Sequence, residues 1–229
     1  MKLCCIALLF LTAAYADGAG RISSKQATAD AEITADPSSS FWKGVKGVRF
    51  GTDPFGKPVP GHETEVRSRW TGRNLYVLFI APYQELYVNE QPDTTQETNK
   101  LWDHDVCEVF AGSNFETIGA YKEFQVSPLG EFVDLDINRY EPKSALGLKW
   151  NSSYRVKARI DREKKVWYGE MQIPLESFEL KEVKPGAELR INFYRMQGPP
   201  PNRLKITWQP TNSPSFHVPE SFGRLVLER

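Results

Sequence analysis

A single-domain, antiparallel all-β sandwich of jelly-roll type is the fold class this sequence predicts. Three observations carry it. About ten short β-like runs recur along the chain, and several alternate apolar and polar residues, the signature of half-buried strands. Sixteen Gly and sixteen Pro punctuate the chain between those runs. Sustained helical periodicity and the spacing of strand–helix–strand units are both missing. Six Trp, nine Tyr and thirteen Phe fit the same picture, because aromatic side chains favour the pleated surface of a sheet.

The chain opens with Lys2, an apolar run over 3–14, and Ala14-Tyr15-Ala16. A basic start, a short apolar run and an A-x-A site make residues 1–16 a secretory signal peptide. The run is also shorter than the ~20 residues a spanning helix needs. The protein is therefore expected to be secreted or periplasmic after cleavage near Ala16, with no membrane insertion. Cys4 and Cys5 leave with the signal, so Cys107 remains as a lone thiol in an apolar run, expected to be a small buried hydrophobe. Residues 17–32 are polar and Ala/Ser-rich, which predicts a flexible lead-in. Residues 33–229 form the domain.

Within that domain, strands are predicted at 65–70, 75–81, 105–111, 122–126, 132–138, 154–160, 166–173, 189–194, 206–209 and 223–227. The run 75–80 is apolar throughout and suits a central strand buried on both faces. In 132–138, Val133, Leu135 and Ile137 oppose Asp134 and Asp136, which are expected to share an outward face. In 189–194, Arg190, Asn192 and Tyr194 fall opposite Leu189, Ile191 and Phe193; with Arg195 and Gln197 beyond, they are read either as a polar cleft or as a solvated sheet face. Residues 175–180, after Pro174, suit one helical turn. The polar loop 83–100 is long for a compact domain, and it leads directly into Trp102.

Charge sets limits on function. Twenty-nine basic and 29 acidic residues balance, and no block of like charge appears, so the footprint of a nucleic-acid binder is missing. There is no G-x-S-x-G elbow and no H-E-x-x-H. His62, His104 and His217 are scattered without metal-ligand spacing. Asp103, Asp105 and Glu108 are the carboxylates that a glycoside hydrolase would require, but alternation along a strand sends Asp105 and Glu108 to opposite faces. Asp103 and Asp105 are also hard oxygen donors of the kind calcium takes, although their spacing is not that of an EF-hand. Trp102, between a loop and a strand and flanked by Asp103, His104 and Asp105, suits stacking on the C–H face of a sugar ring; core packing is the alternative. Trp208, in I-T-W-Q-P-T, is the second such candidate.

A series of motifs then follows in order: N-L-Y-V-L-F, L-W-D-H-D-V-C-E-V-F, Y-K-E-F-Q-V-S-P-L-G-E-F-V-D-L-D, W-Y-G-E-M-Q-I-P, R-I-N-F-Y-R-M-Q-G, W-Q-P-T and F-H-V-P-E-S-F-G-R-L-V-L. This series, preceded by Asp36 and Phe41-Trp42, resembles secreted bacterial proteins related to family 9 carbohydrate-binding modules, a branch of the DOMON-like β-sandwiches. The resemblance runs from about residue 33 to 227. It implies a jelly-roll sandwich that binds a saccharide or polysaccharide chain end, clamping a ring between two tryptophans, with calcium as a structural ion. Trp102 matches the platform residue of the pattern W-x-x-D-x-x-E-[VI]-F, and Trp208 would stand opposite it. By the same resemblance Glu108, Arg190, Asn192 and Arg195 would be the polar partners, and a separate glycoside hydrolase the functional partner.

The expected function is therefore non-catalytic saccharide binding by a secreted β-sandwich. Two other readings stay open. The superfamily also implies a haem-binding electron-transfer domain, with Met171, Met196 or a histidine as axial ligand. The third is a glycoside hydrolase using Asp103, Asp105 or Glu108.

Overall fold

A computed structural model describes residues 20–141 and 149–229; the expected signal peptide lies outside the described residues. Twelve strands run in chain order: β1 (Arg21–Gln26), β2 (Val48–Phe50), β3 (Thr64–Trp70), β4 (Asn74–Pro82), β5 (Val106–Gly112), β6 (Ala120–Val126), β7 (Phe132–Asn138), β8 (Arg155–Asp161), β9 (Val166–Pro174), β10 (Glu188–Gln197), β11 (Leu204–Thr207) and β12 (Gly223–Glu228). All ten predicted runs are strands. The turn expected after Pro174 is a short 3-10 turn, Leu175–Phe178.

The strands follow one hydrogen-bonded path, β7-β6-β5-β10-β12-β1-β3-β4-β9-β8, with β11 added to β10 and β2 to β3. The path doubles over on itself, so that β6 packs across from β8 and β9. Val77, Phe79, Val109, Phe124, Met171 and Phe193 fill the space between the two layers. Burying one such side chain fully is worth ~1.5–3 kcal/mol, which makes this layer the main source of stability. Cys107 belongs to it and is completely buried, as a small hydrophobe.

Two further apolar clusters lie on the outer faces. One, on β4 and β9, gathers Ile33, Ala35, Trp42, Tyr76, Leu78 and Tyr168. It explains why 75–80 is apolar throughout: Val77 and Phe79 face the inter-layer core while Tyr76 and Leu78 face this cover. Glu170 fastens the cover down, accepting hydrogen bonds from the Thr34 and Ala35 amides (2.8 and 2.7 Å) and from Trp42 Nε1 (2.8 Å). The other cluster lies on β5, β6, β7 and β10 and holds the candidate site.

Two expectations are corrected here. Part of the segment read as a flexible lead-in is β1, an interior strand of the sheet that runs parallel to both neighbours, β12 and β3. Ile22 and Ser24 are buried, and Ser24 receives a 2.8 Å hydrogen bond from Ser68. R-I-S-S-K-Q carries a single aliphatic residue, so its strand character comes from pairing on both edges rather than from composition. The second correction concerns β7. Asp134 is not on a solvated face: it is fully buried and accepts a hydrogen bond from the Ser152 amide (2.9 Å). Asp136, partly exposed, pairs with Lys122 (2.7 Å). Val133, Leu135 and Ile137 are the residues that point to the outer face.

Candidate functional site

Alternation along four neighbouring strands builds one outer surface. β5 contributes Val106 and Phe110, β6 Tyr121, β7 Val133, Leu135 and Ile137, and β10 Tyr194 and Met196. Two segments then close over it. The 3-10 turn Leu101–Asp103 brings Trp102 to one side. The chain before β12 brings Phe216, whose ring stacks on Tyr194 with 4.3 Å between centroids and 16° between planes. Tyr194 Oη donates to the Phe216 carbonyl (2.9 Å), and Tyr121 Oη meets His217 Nδ1 at 2.7 Å. Both bonds fix the C-terminal segment against the sheet.

What these elements leave open is a pocket of about 230 Å³. Its apolar wall is formed by Phe110, Leu135, Ile137, Met196 and Phe216, with the partly exposed Trp102 beside them. Its buried polar part is formed by Glu108, Glu123 and Gln125, and Lys205, Ser215 and His217 complete the lining. The shape is a small concave apolar surface with a few convergent polar groups, the usual form of a small-molecule site.

The polar part carries an electrostatic tension. Glu108, Glu123 and Gln125 are only 2%, 4% and 1% exposed. Burial pushes the Glu123 carboxyl up to about 8, and burial together with the Glu123 charge holds Glu108 well above the usual carboxylate range. Among the described residues no ion pair within 4 Å reaches either acid. Gln125 Nε2 donates to Glu123 Oε1 (2.6 Å), while Glu108 Oε2 and Gln125 Oε1 are buried with no hydrogen-bond partner. Buried acceptors without partners are rare and costly, so these atoms are poised for an incoming donor. Lys205 does not supply it, because its ammonium donates to the Pro214 carbonyl and lies 5.5 Å from the Phe216 ring.

The structure brings Trp102 and Glu108 into this one pocket. The other four residues expected at a site are placed elsewhere. Trp208 does not stand opposite Trp102: its ring lies 5.3 Å from Phe193, on the inter-layer side. It covers Gly20 and Gly223, where a Cβ would come within 2.8 Å and 2.7 Å of the indole. Arg195 shares the inward face with Phe193 and is fully buried, donating to Thr64 Oγ1 (3.2 Å), the Pro82 carbonyl (2.6 Å) and Gln197 Oε1. Arg190 donates through Nε to the Asn114 carbonyl (2.6 Å) and through Nη2 to the Ala120 carbonyl (3.3 Å), while its buried Nη1 has no hydrogen-bond partner among the described residues. Asn192 braces Tyr194 Oη and the Gln209 carbonyl (2.8 and 2.9 Å). The polar cleft expected from 190–197 is therefore a set of structural ties.

Asp105 does not suit a metal, and Asp103 lies apart from it on the surface. Asp103 is exposed, and Arg203 donates to its carbonyl. Asp105 is buried and accepts from the Tyr87 amide (3.0 Å), Gln197 Nε2 (2.8 Å) and the Gly198 amide (2.6 Å). Burial lifts its carboxyl to about 6. With three N–H donors on its two oxygens it has no room for calcium, and no group of three His, Cys, Asp or Glu among the described residues is placed to hold a metal ion. Asp105 and Glu108 also sit on opposite faces of the sheet, so they cannot flank one glycosidic bond. Asp105 has a different role. Its amide donates to the Tyr87 carbonyl (2.8 Å), Tyr87 stacks on His104 (5.2 Å), and Arg203 donates to the His104 carbonyl (2.6 Å). The long loop 83–100 thereby anchors the turn that carries Trp102.

Glu123, Gln125, Phe110, Phe216, Lys205 and His217 were not singled out from the sequence. For the first three a signal exists: E-F-Q in β6 sets Glu123 and Gln125 on one face by alternation, and Phe110 shares the face of Glu108. Phe216 and His217 reach the pocket through an irregular segment that has no period to read.

Known proteins similar to this chain agree with the fold. A candidate carbohydrate-binding protein from Bacteroides uniformis superposes with a TM-score of 0.73 at 18% identity, over 92% of this chain and 100% of that one. A carbohydrate-binding module of family 9 from Caldicellulosiruptor kristjanssonii, solved with cellotriose, gives 0.66 at 14% identity over 91% and 94% of the two chains. An extracellular protein of the fungus Arthroderma benhamiae is 23% identical over 189 residues, which is 77% of this chain and 82% of that protein. The family model described as carbohydrate family 9 binding domain-like matches residues 40–229. That match takes in every strand from β2 to β12 and the whole pocket, and the chain belongs to this family.

Proposed function

We propose that this protein binds saccharide without cleaving it, in the pocket on the outer face of β5, β6, β7 and β10. One observation carries the reading: Glu108 Oε2 and Gln125 Oε1 are buried acceptors without partners, set in a pocket walled by aromatic and aliphatic side chains. A sugar ring matches both halves, with a C–H face for Trp102, Phe110 and Phe216 and hydroxyl donors for the acceptors. The family's ligand class and the cellotriose and glucose complexes of the Caldicellulosiruptor modules support the same reading. We place the protein outside the cytoplasm, serving a separate glycoside hydrolase. The apolar start of the chain and the extracellular Arthroderma relative support export.

Isothermal titration with gluco- and cello-oligosaccharides tests the reading. Trp102→Ala is expected to weaken binding by at least about tenfold, ~1.4 kcal/mol, with the thermal transition nearly unmoved. A folded Trp102→Ala variant that binds as well as the parent would remove Trp102 from the site. Extended incubation with the same oligosaccharides is expected to release no shorter product. For the haem reading, Met171 lies in the inter-layer core while Met196 and His217 both border the pocket. A purified protein that develops no Soret band on haem addition eliminates that reading.

A further inference from the structure

We propose that the saccharide this pocket prefers carries a protonated amine, as a hexosamine does, seated on Glu108, Glu123 and Gln125. The inference rests on the saccharide-binding reading and narrows its ligand class.

Once ionised, Glu108 and Glu123 offer only acceptors, and Gln125 adds its free Oε1. Register pairs Glu108 with Gln125 and Phe110 with Glu123, so the two acids are diagonal neighbours on β5 and β6 and share one face with Gln125. Gln125 has turned its amide nitrogen to Glu123, which leaves its carbonyl oxygen unpartnered. Glu108 Oε2 is unpartnered as well, on a side chain 98% buried (2% exposed). A neutral sugar hydroxyl brings one donor and lone pairs of its own. An ammonium brings three donors and no acceptor, and its charge also relieves two carboxylates that burial and mutual repulsion now hold above their usual range.

The charged groups around the pair leave that place open. Lys205 faces it from β11 and its charge favours the ionised form of Glu108, but its ammonium is bonded to the Pro214 carbonyl and makes no ion pair with either acid. Arg203 acts on Glu108 only at a distance, its guanidinium held by the Asp103 and His104 carbonyls. His217, from the segment before β12, is bonded through Nδ1 to Tyr121 and held toward its neutral form by burial. From β7 the pocket receives only Leu135 and Ile137. Apolar contact for the ring and an unoccupied acid pair for its amine therefore lie side by side.

The test is titration calorimetry with three matched oligomers: glucosamine, N-acetylglucosamine and glucose (cello) series, at pH 7 and pH 5 in physiological salt. The glucosamine series is expected to bind at least about tenfold tighter than the other two at pH 7. Its advantage should shrink toward pH 5, because the pair must release protons to receive the cation. Glu108→Gln and Glu123→Gln should each remove most of the advantage, weakening the glucosamine series at least about tenfold more than the neutral series, and circular dichroism checks that both variants fold. Equal or weaker binding of the glucosamine series, with the neutral series bound, overturns this inference and leaves the saccharide reading standing. An advantage that survives both substitutions also overturns it. No binding by any series overturns both.

Discussion

Glu108 and Glu123 lie diagonally across the β5–β6 ladder and enter the same pocket, both more than nine-tenths buried and neither with an ion-pair partner among the described residues. A folded protein keeps two acids in this state only at a cost, since each penalises the charge of the other and the surrounding apolar wall penalises both. The relationship is costly for the free fold and useful for a ligand with donors to offer.

The cost should be visible in stability against pH. The Glu123 carboxyl sits at about 8 in the folded protein against a usual value of 4.5. Between those values the native state holds a proton that the unfolded chain has released, so stability is lost as pH rises through the window. At its steepest the loss is roughly 1.4 kcal/mol per pH unit. Urea unfolding at pH 5 and pH 8 should show a lower midpoint at pH 8, and Glu123→Gln should flatten the difference. A variant with the parent's pH dependence would place the titrating group elsewhere.

Trp208 should matter for folding and not for ligand. Its indole packs against Phe193 and over Gly20 and Gly223, so Trp208→Ala opens a void beside the inter-layer core. Chemical denaturation is expected to show a loss of ~2–4 kcal/mol, while the folded fraction binds saccharide with unchanged affinity. Loss of affinity without loss of stability would return Trp208 to the site.

Ile22 tests whether β1 is part of the sheet. It is 2% exposed in the main core and is paired in register with Leu225. Ile22→Ala should cost ~2–4 kcal/mol. Lys25→Ala, on the same strand but with an exposed side chain tied only to Glu228 (3.0 Å), should stay within about 1 kcal/mol. If the two substitutions behaved alike, residues 21–26 would not be an interior strand.

The ten predicted strands are legible in the sequence because the signal is local: most show a side-chain parity that depends only on their own run, and the run 75–80 shows an unbroken apolar stretch. The same parity separates Asp105 from Glu108. β1 was missed because its strand character is conferred by two neighbours, β12 and β3, that are distant in the chain. Trp208 was misplaced for a related reason. Its polar sequence neighbours suggested a surface, whereas glycines at 20 and 223 make the hollow it fills.

Periodicity and composition over a few residues suffice for the fold class, the loop-to-strand junction that carries Trp102, and the separation of Asp105 from Glu108 onto opposite faces. Only the tertiary structure decided which side chains share the pocket. Glu123 and Gln125 join Glu108 through the β5–β6 register, and Phe216 and His217 arrive from a segment about 100 residues further along. It also decided that Arg190, Asn192 and Arg195 bond to carbonyls and side chains within the protein and lie outside the pocket. Which donors are satisfied and which acceptors remain free is a property of the packed arrangement, because each hydrogen bond here joins groups that no local pattern brings together.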